Sequence, residues 1–228
     1  MSQQNVPVVH FLNQFFGGIG GEEQANIPVQ VKEGPVGPGR ALQQALAGRG
    51  RVVATIVCGD NYFNEEKPTA VAAVKDALRK YKPRAVVAGP AFNAGRYGLA
   101  CGEVCRVAQE AGIAAVTAMY PENPGVLEHG KHVYIVPTGD SPSGMQAAID
   151  AMTRLALKLA SGEQLGPAEV EGYMPRGIRR PGFREKPAAP RAVDMLLSRL
   201  AGKPFATELP IEMPERVDPA QPVSDLKG

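Results

Sequence analysis

Groups capable of nucleophilic and proton-transfer chemistry are concentrated in three short segments of this 228-residue sequence. In CGDNYF, Cys58 offers a thiol, Asp60 a carboxylate and Asn61 an amide, with Tyr62 and Phe63 beside them. In GPAFNAGRYG, Asn93, Arg96 and Tyr97 stand at the start of a helical pattern that also carries Cys101. In MYPENPG, Glu122 and Asn123 are adjacent. A thiolate attacks carbon, and a carboxylate exchanges protons once its surroundings tune it. Cys58 and Cys101 are therefore candidate nucleophiles, and Asp60 and Glu122 are candidates for charge pairing or proton transfer. Arg96, beside the free N–H groups of a helix start, suits a carboxylate or phosphate. Tyr62, Phe63 and Tyr97 can face an ammonium group through their π clouds. Plainer readings stand beside these. A free Cys at the end of an apolar run is commonly core, and Arg96 can pair with a structural carboxylate. Cys101 and Cys105 lie four apart on one helical face, but no His or further Cys joins them at ligand spacing. His10, His129 and His132 read as structural.

These segments have to be positioned by regular elements, and apolar β-rich runs alternate with helical patterns along the chain. Strands are expected at Val8–Asn13, Val52–Cys58, Ala85–Ala88, Ala115–Ala118 and His132–Val136. Helices are expected at Gly39–Ala47, Thr69–Lys80, Gly95–Glu110 and Ser143–Leu159. The strand runs are almost continuously apolar, as in sheets covered on both faces. The fold class that follows is α/β: an open, mostly parallel Rossmann-like sheet with helices on both faces. Each strand is followed by a segment rich in Gly, Pro and amide or carboxylate side chains. In a parallel sheet all of these gather at the C-terminal edge, where such folds bind ligands. From Ser161 the texture changes to Gly, Pro and Arg. The sequence thus divides into an α/β domain over 1–160 and an extended arm over 161–228, with a short amphipathic helix at Arg191–Leu200 and a Pro-rich tail. Such an arm is expected to pack on a partner subunit.

Composition narrows the function. With 25 basic and 23 acidic residues and no long like-charge block, nothing in the charge pattern favours nucleic acid. No apolar run approaches the roughly 20 residues of a membrane span, and the first residues lack the features of a signal peptide, so a cytoplasmic protein is expected. Three cysteines cannot all pair internally, and reduced thiols are expected. GGIGG after the first strand fits neither a dinucleotide-binding nor a P-loop fingerprint.

NQFFGGIGGEE (13–23), EGPVGPGRAL (33–42), VATIVCGDNYFNE (53–65), AGPAFNAGRYGLACGEV (88–104), MYPENPGV (119–126), EGYMPRGIR (171–179) and RAVDML (191–196) together resemble the component B family of glycine, sarcosine and betaine reductases. The blocks occur in order over nearly the whole chain. The resemblance implies reductive deamination, in which a selenolate or thiolate displaces the amine from the α-carbon of a small amino acid or betaine. It also implies partners: a pyruvoyl-type subunit for amino-acid substrates and a small selenoprotein or thiol carrier. In the family's long form the nucleophilic selenocysteine lies in a second domain beyond a segment like RVDPAQPVSDLKG, where this sequence stops. No cofactor is therefore expected in this chain, and the reactive selenocysteine or Cys is expected on a partner subunit resembling the C-terminal half of component B. By the same resemblance Cys58, Asp60, Asn61, Asn93, Arg96, Tyr97, Cys101, Glu122 and Asn123 line a pocket for a small zwitterion. Two alternatives remain open: a non-catalytic assembly subunit, and a remodelled enzyme that uses Cys58 or Cys101 itself.

Overall fold

The computed structural model describes residues 5–177 and 186–204. Six strands form one sheet: β1 (Val6–Asn13), β2 (Gln30–Glu33), β3 (Gly50–Cys58), β4 (Ala85–Phe92), β5 (Ala114–Met119) and β6 (Tyr134–Pro137). Their order is β2-β3-β1-β4-β5-β6. All neighbouring pairs are parallel except β2 with β3, so β2 is an antiparallel edge strand that sequence periodicity did not signal. Its four residues, QVKE, are mostly exposed and carry no apolar alternation.

The helices are α1 (Gly39–Ala45), α2 (Asp60–Glu65), α3 (Lys67–Tyr81), α4 (Gly95–Glu110), α5 (Pro124–His129), α6 (Met145–Ser161), α7 (Ala168–Glu171) and α8 (Ala188–Leu200). Alternation along the strands builds two cores. Val9, Phe11, Ala54, Ile56, Val86 and Ala88 face one way, against Val74 and Leu78 of α3 and Tyr97, Cys101 and Val104 of α4. Val8, Val52, Val87, Val116 and Val136 face the other way, against Leu42 of α1 and Ile149, Met152 and Leu155 of α6. Both faces are thereby covered, which is why the strand sequences are apolar at nearly every position. The helix ends follow local chemistry. Pro68 sits in the first turn of α3, Arg79 and Lys80 complement the dipole in its last turn, and Gly162 ends α6 in the left-handed region at φ 75°.

Contacts divide the chain into two compact units, residues 1–178 and 179–228. In the first, residues after Ser161 still belong to the α/β body: Lys158 Nζ holds Glu171 at 2.9 Å, and the Tyr173 ring stands edge-on to Tyr134 at 5.2 Å. In the second, α8 starts three residues earlier than expected and exposes Val193, Leu196, Leu197 and Leu200. The Pro-rich tail beyond Pro204 lies outside the described residues.

His10, in the middle of β1, is completely buried, and its Nε2 bonds the Gly89 carbonyl at 2.8 Å. Burial holds its pKa down to about 4, with the hydrogen bond to Gly89 opposing. A His lowered in the folded state stabilises above its unfolded value near 6.5 and loses that contribution as pH falls toward 4. The loss amounts to about 3 kcal/mol, taking ~1.4 kcal/mol for each unit between the two values. Urea midpoints measured from pH 7 to pH 4.5 should therefore fall in the wild type and fall less steeply in His10→Gln.

Candidate functional site

The first unit carries a cleft of about 440 Å³ at the C-terminal edge of the sheet, over β1, β3 and β4. β1 is joined onward to β3 on one side while β4 pairs on its other side, so the cleft opens where the strand order reverses. Asn13, Gln14, Phe15 and Phe16 enter it from the end of β1, Asp60 from the end of β3, and Phe92, Asn93 and Ala94 from the end of β4. Glu22, from the turn after β1, and Asp140, after β6, complete the rim.

Asp60 is the best-held of these groups. It is only 7% exposed. Asn13 Nδ2 donates to its Oδ2 at 2.9 Å, while Gln14 Oε1 accepts from its backbone N–H at 3.0 Å. Asn13 also accepts from the Phe16 N–H at 2.9 Å, so the residue that fixes the carboxylate also shapes the turn carrying the aromatic wall. Burial raises the Asp60 pKa above the ordinary carboxylate range, and nearby Glu22 adds to the rise. The Asn13 bond, Arg96 and Gln14 oppose it.

The strand end at Gly59 is tightly built. The Ala25 carbonyl accepts from the N–H groups of Asn61 at 2.9 Å and Tyr62 at 3.1 Å, occupying the start of α2. A Cβ on Gly59 would stand 2.2 Å from that same oxygen. CGDNYF thus runs from the end of β3 into a helical turn whose first N–H groups are met by a distant carbonyl.

Apart from Asn93, the structure distributes the remaining candidates around the cleft rather than in it. Asn93 joins Asp60 on the lining. The Arg96 guanidinium meets both oxygens of Glu22 at 2.8 Å and bonds Asn61 Oδ1, which ties α4 and α2 to the turn after β1. Tyr62 is partly buried against the first core, and Phe63 lies inside it, edge-on to Phe11 at 5.5 Å. Tyr97 is fully buried, with its hydroxyl donating to the Phe11 carbonyl at 3.4 Å. These three rings support the floor. The rings on the lining are Phe15, Phe16 and Phe92, and Phe16 also contacts Tyr97 at 5.9 Å.

Asn123 is fully buried and works as a clamp. Its amide donates to the carbonyls of Phe92 at 2.9 Å and Ala94 at 3.2 Å, and its Oδ1 accepts from Gly125 at the start of α5. It holds the end of β4 and the start of α4 in place from behind. Glu122, next to it, is exposed and outside the lining.

The thiols are enclosed. Cys58, Cys101 and Cys105 are free and buried. Burial, with the Asp60 charge adding to it, pushes the Cys58 thiol up to about 12, and burial raises Cys101 and Cys105 as well. Among the described residues no group of His, Cys, Asp and Glu is arranged to hold a metal, and no helix is long and apolar enough to cross a membrane.

Sequence reasoning named Asp60 and Asn93 but missed Asn13, Gln14, Phe15, Phe16, Glu22 and Asp140 as lining. The available signal for Asn13 to Phe16 was their position at the end of β1, and for Asp140 its place in the turn after β6; Glu22, further along in the 3-10 turn, gave none.

A sheet wound in both directions with a cleft at its reversal point places the chain in the doubly wound α/β class, in which small ligands are held at that edge. No solved structure matches it. The chain belongs to the glycine/sarcosine/betaine reductase selenoprotein B (GRDB) family, whose model matches residues 5–228. It is 52% identical over 220 residues to the glycine reductase complex component B subunit gamma of Carboxydothermus hydrogenoformans, covering 96% of this chain and 51% of the relative. It is 46% identical over 224 residues to the sarcosine reductase complex component B subunit beta of Peptoclostridium acidaminophilum, covering 98% and 51%. The betaine reductase complex component B subunit beta of the same organism is 44% identical over 219 residues, covering 95% and 50%. The chain therefore spans about half the length of the curated relatives it matches.

Proposed function

We propose that this chain supplies the substrate-holding half of a reductase complex that cleaves a C–N bond, or a similar C–heteroatom bond, in a small amino acid or betaine. The observation that carries this reading is Asp60, buried and hydrogen-bonded at the floor of a cleft where the strand order reverses, in a chain of this family. In the reaction a selenolate or thiolate attacks the α-carbon, a new C–Se or C–S bond forms as the C–N bond breaks, and the ammonium group departs as the neutral amine with the C–N electron pair. The nucleophile comes from a partner chain, because the three thiols here are enclosed and kept protonated by burial. The partner also closes the cleft. The cleft is larger than a two-carbon substrate requires and leaves space for an incoming group. What this chain contributes is position: Asn13, Gln14 and Asp60 fix one wall, Asn123 fixes the end of β4, and Ala94, the N-cap of α4, brings uncapped backbone N–H groups to the rim for a carboxylate. Holding the reacting carbon in line with an external nucleophile supplies a large part of such a rate.

The second reading is an assembly subunit that touches no substrate, and the exposed apolar stripe of α8 favours it. Ligand-induced stabilisation separates the two. Millimolar glycine, sarcosine or glycine betaine should raise the urea midpoint of the purified chain, reflecting about 1.4 kcal/mol of added unfolding free energy at a ligand concentration ten times Kd. No stabilisation by any of the three would remove the first reading and leave the second.

A further inference from the structure

The groups that meet in the cleft say which end of a ligand it reads. Every charged side chain on the lining is a carboxylate: Glu22, Asp60 and Asp140. Arg96 pairs with Glu22 and its charge also reaches Asp60 on the floor, while Asp140 stands exposed on the rim. Asp60 is more than nine-tenths buried, and its carboxylate is held by the side chains of Asn13 and Gln14 on the cleft lining. The floor thus presents a positioned carboxylate to the cleft.

The aromatic wall is an independent observation with the same sign. Phe15 and Phe16 both line the cleft, with centroids 5.4 Å apart and planes at 78°, so they form a corner of nearly perpendicular rings. Phe15 is 63% exposed although it is large and apolar. Exposure of that ring costs free energy unless something covers it, and a ring face attracts positive charge. A corner of aromatic faces beside a carboxylate is the arrangement that recognises substituted ammonium groups.

From this juxtaposition we infer that the cleft recognises the cationic end of its ligand, a small substituted ammonium or iminium group seated between the Phe15–Phe16 corner and the carboxylates of Asp60 and Asp140. Arg96 is not the ligand's anchor. Its two contacts to Glu22 and its bond to Asn61 make it a brace for the turn that carries the aromatic corner. The inference rests on the proposed function and deepens it. It names charge on nitrogen as what the cleft reads and Phe15, Phe16, Asp60 and Asp140 as the residues that set selectivity.

Calorimetric titration of the full 228-residue chain with three probes tests it. Glycine betaine and tetramethylammonium carry the charged head, and 3,3-dimethylbutyrate keeps the shape of betaine with carbon in place of nitrogen. Betaine and tetramethylammonium should bind, and 3,3-dimethylbutyrate should bind about tenfold more weakly than betaine or not at all. Asp60→Asn, Asp140→Asn and Phe15→Ala should each weaken betaine several-fold. Asp140 and Phe15 are exposed, so their variants keep the test decisive even if Asp60→Asn folds poorly. Equal binding of betaine and its carbon analogue, or unchanged betaine affinity in the Asp140 and Phe15 variants, would overturn the inference while leaving the ligand site itself standing. Absence of binding by betaine, sarcosine and glycine alike would take down both.

Discussion

Gly98→Ala should destabilise the protein by more than about 4 kcal/mol, although Gly-to-Ala inside a helix ordinarily stabilises by ~1 kcal/mol. The added Cβ would stand 2.0 Å from Asn123 Oδ1 and 2.6 Å from its Cγ and Nδ2. Asn123 cannot give way, because its side chain bonds two carbonyls and one N–H in a fully buried setting. Displacing it leaves those three backbone groups unpaired, at about 1–3 kcal/mol each. Urea unfolding measures the loss. The double variant Gly98→Ala with Asn123→Ala should be more stable than the sum of the two single changes predicts, because the second change removes the atoms the first collides with. A Gly98→Ala protein as stable as wild type would show that the clamp is not rigid.

The second large effect concerns the thiols. At pH 8 in the native state, Cys58, Cys101 and Cys105 should resist iodoacetamide on a timescale that labels all three in urea. For Cys58, with its pKa near 12, the smaller thiolate fraction outweighs the greater intrinsic nucleophilicity of a more basic thiolate. The rate should fall on the order of a hundredfold below a free cysteine, before burial is counted. Cys101 and Cys105 lie deeper, in the core between α4 and the sheet, and should be slower still. Mass spectrometry of the labelled chain reads the result. One fast-reacting cysteine protected by betaine or sarcosine would favour an enzyme that carries its own nucleophile. Uniform protection leaves the nucleophile to a partner chain.

Much of the fold was readable because long apolar or amphipathic runs leave few choices. α4 spans Gly95–Glu110, as its helical periodicity implies, and the five parallel strands fall on the five apolar runs, with ends differing by a few residues. Among the elements that were missed, two owe their form to distant partners. β2 is a polar strand that exists because β3 offers an edge, and α2 is six residues long and is capped by the Ala25 carbonyl. Neither has a periodicity of its own to read.

The site was legible to the same extent and for the same reason. Asp60 and Asn93 follow strands directly, so the C-terminal edge rule finds them. The choice among aromatic residues required knowing which rings turn inward. Phe63 and Tyr97 do, whereas Phe15 and Phe16 stand on the cleft. Arg96 looked like the ligand's cation because its countercharge, Glu22, lies 74 positions away in the sequence. A pairing at that range leaves no local trace. Asn123 likewise read as a lining amide, and only its bonds back to Phe92 and Ala94 reveal a clamp.

Under the proposed function, ligand enters at the reversal point between β1 and β4. Titrating the isotope-labelled chain with glycine betaine and following backbone amide shifts locates the contact directly. Shifts should concentrate at Asn13–Phe16, Asp60, Asn93 and Ala94, and leave the opposite end of the molecule, around Leu78, Lys82 and Val107, unchanged. Shifts confined to that opposite end, or absent at saturating ligand, would contradict it.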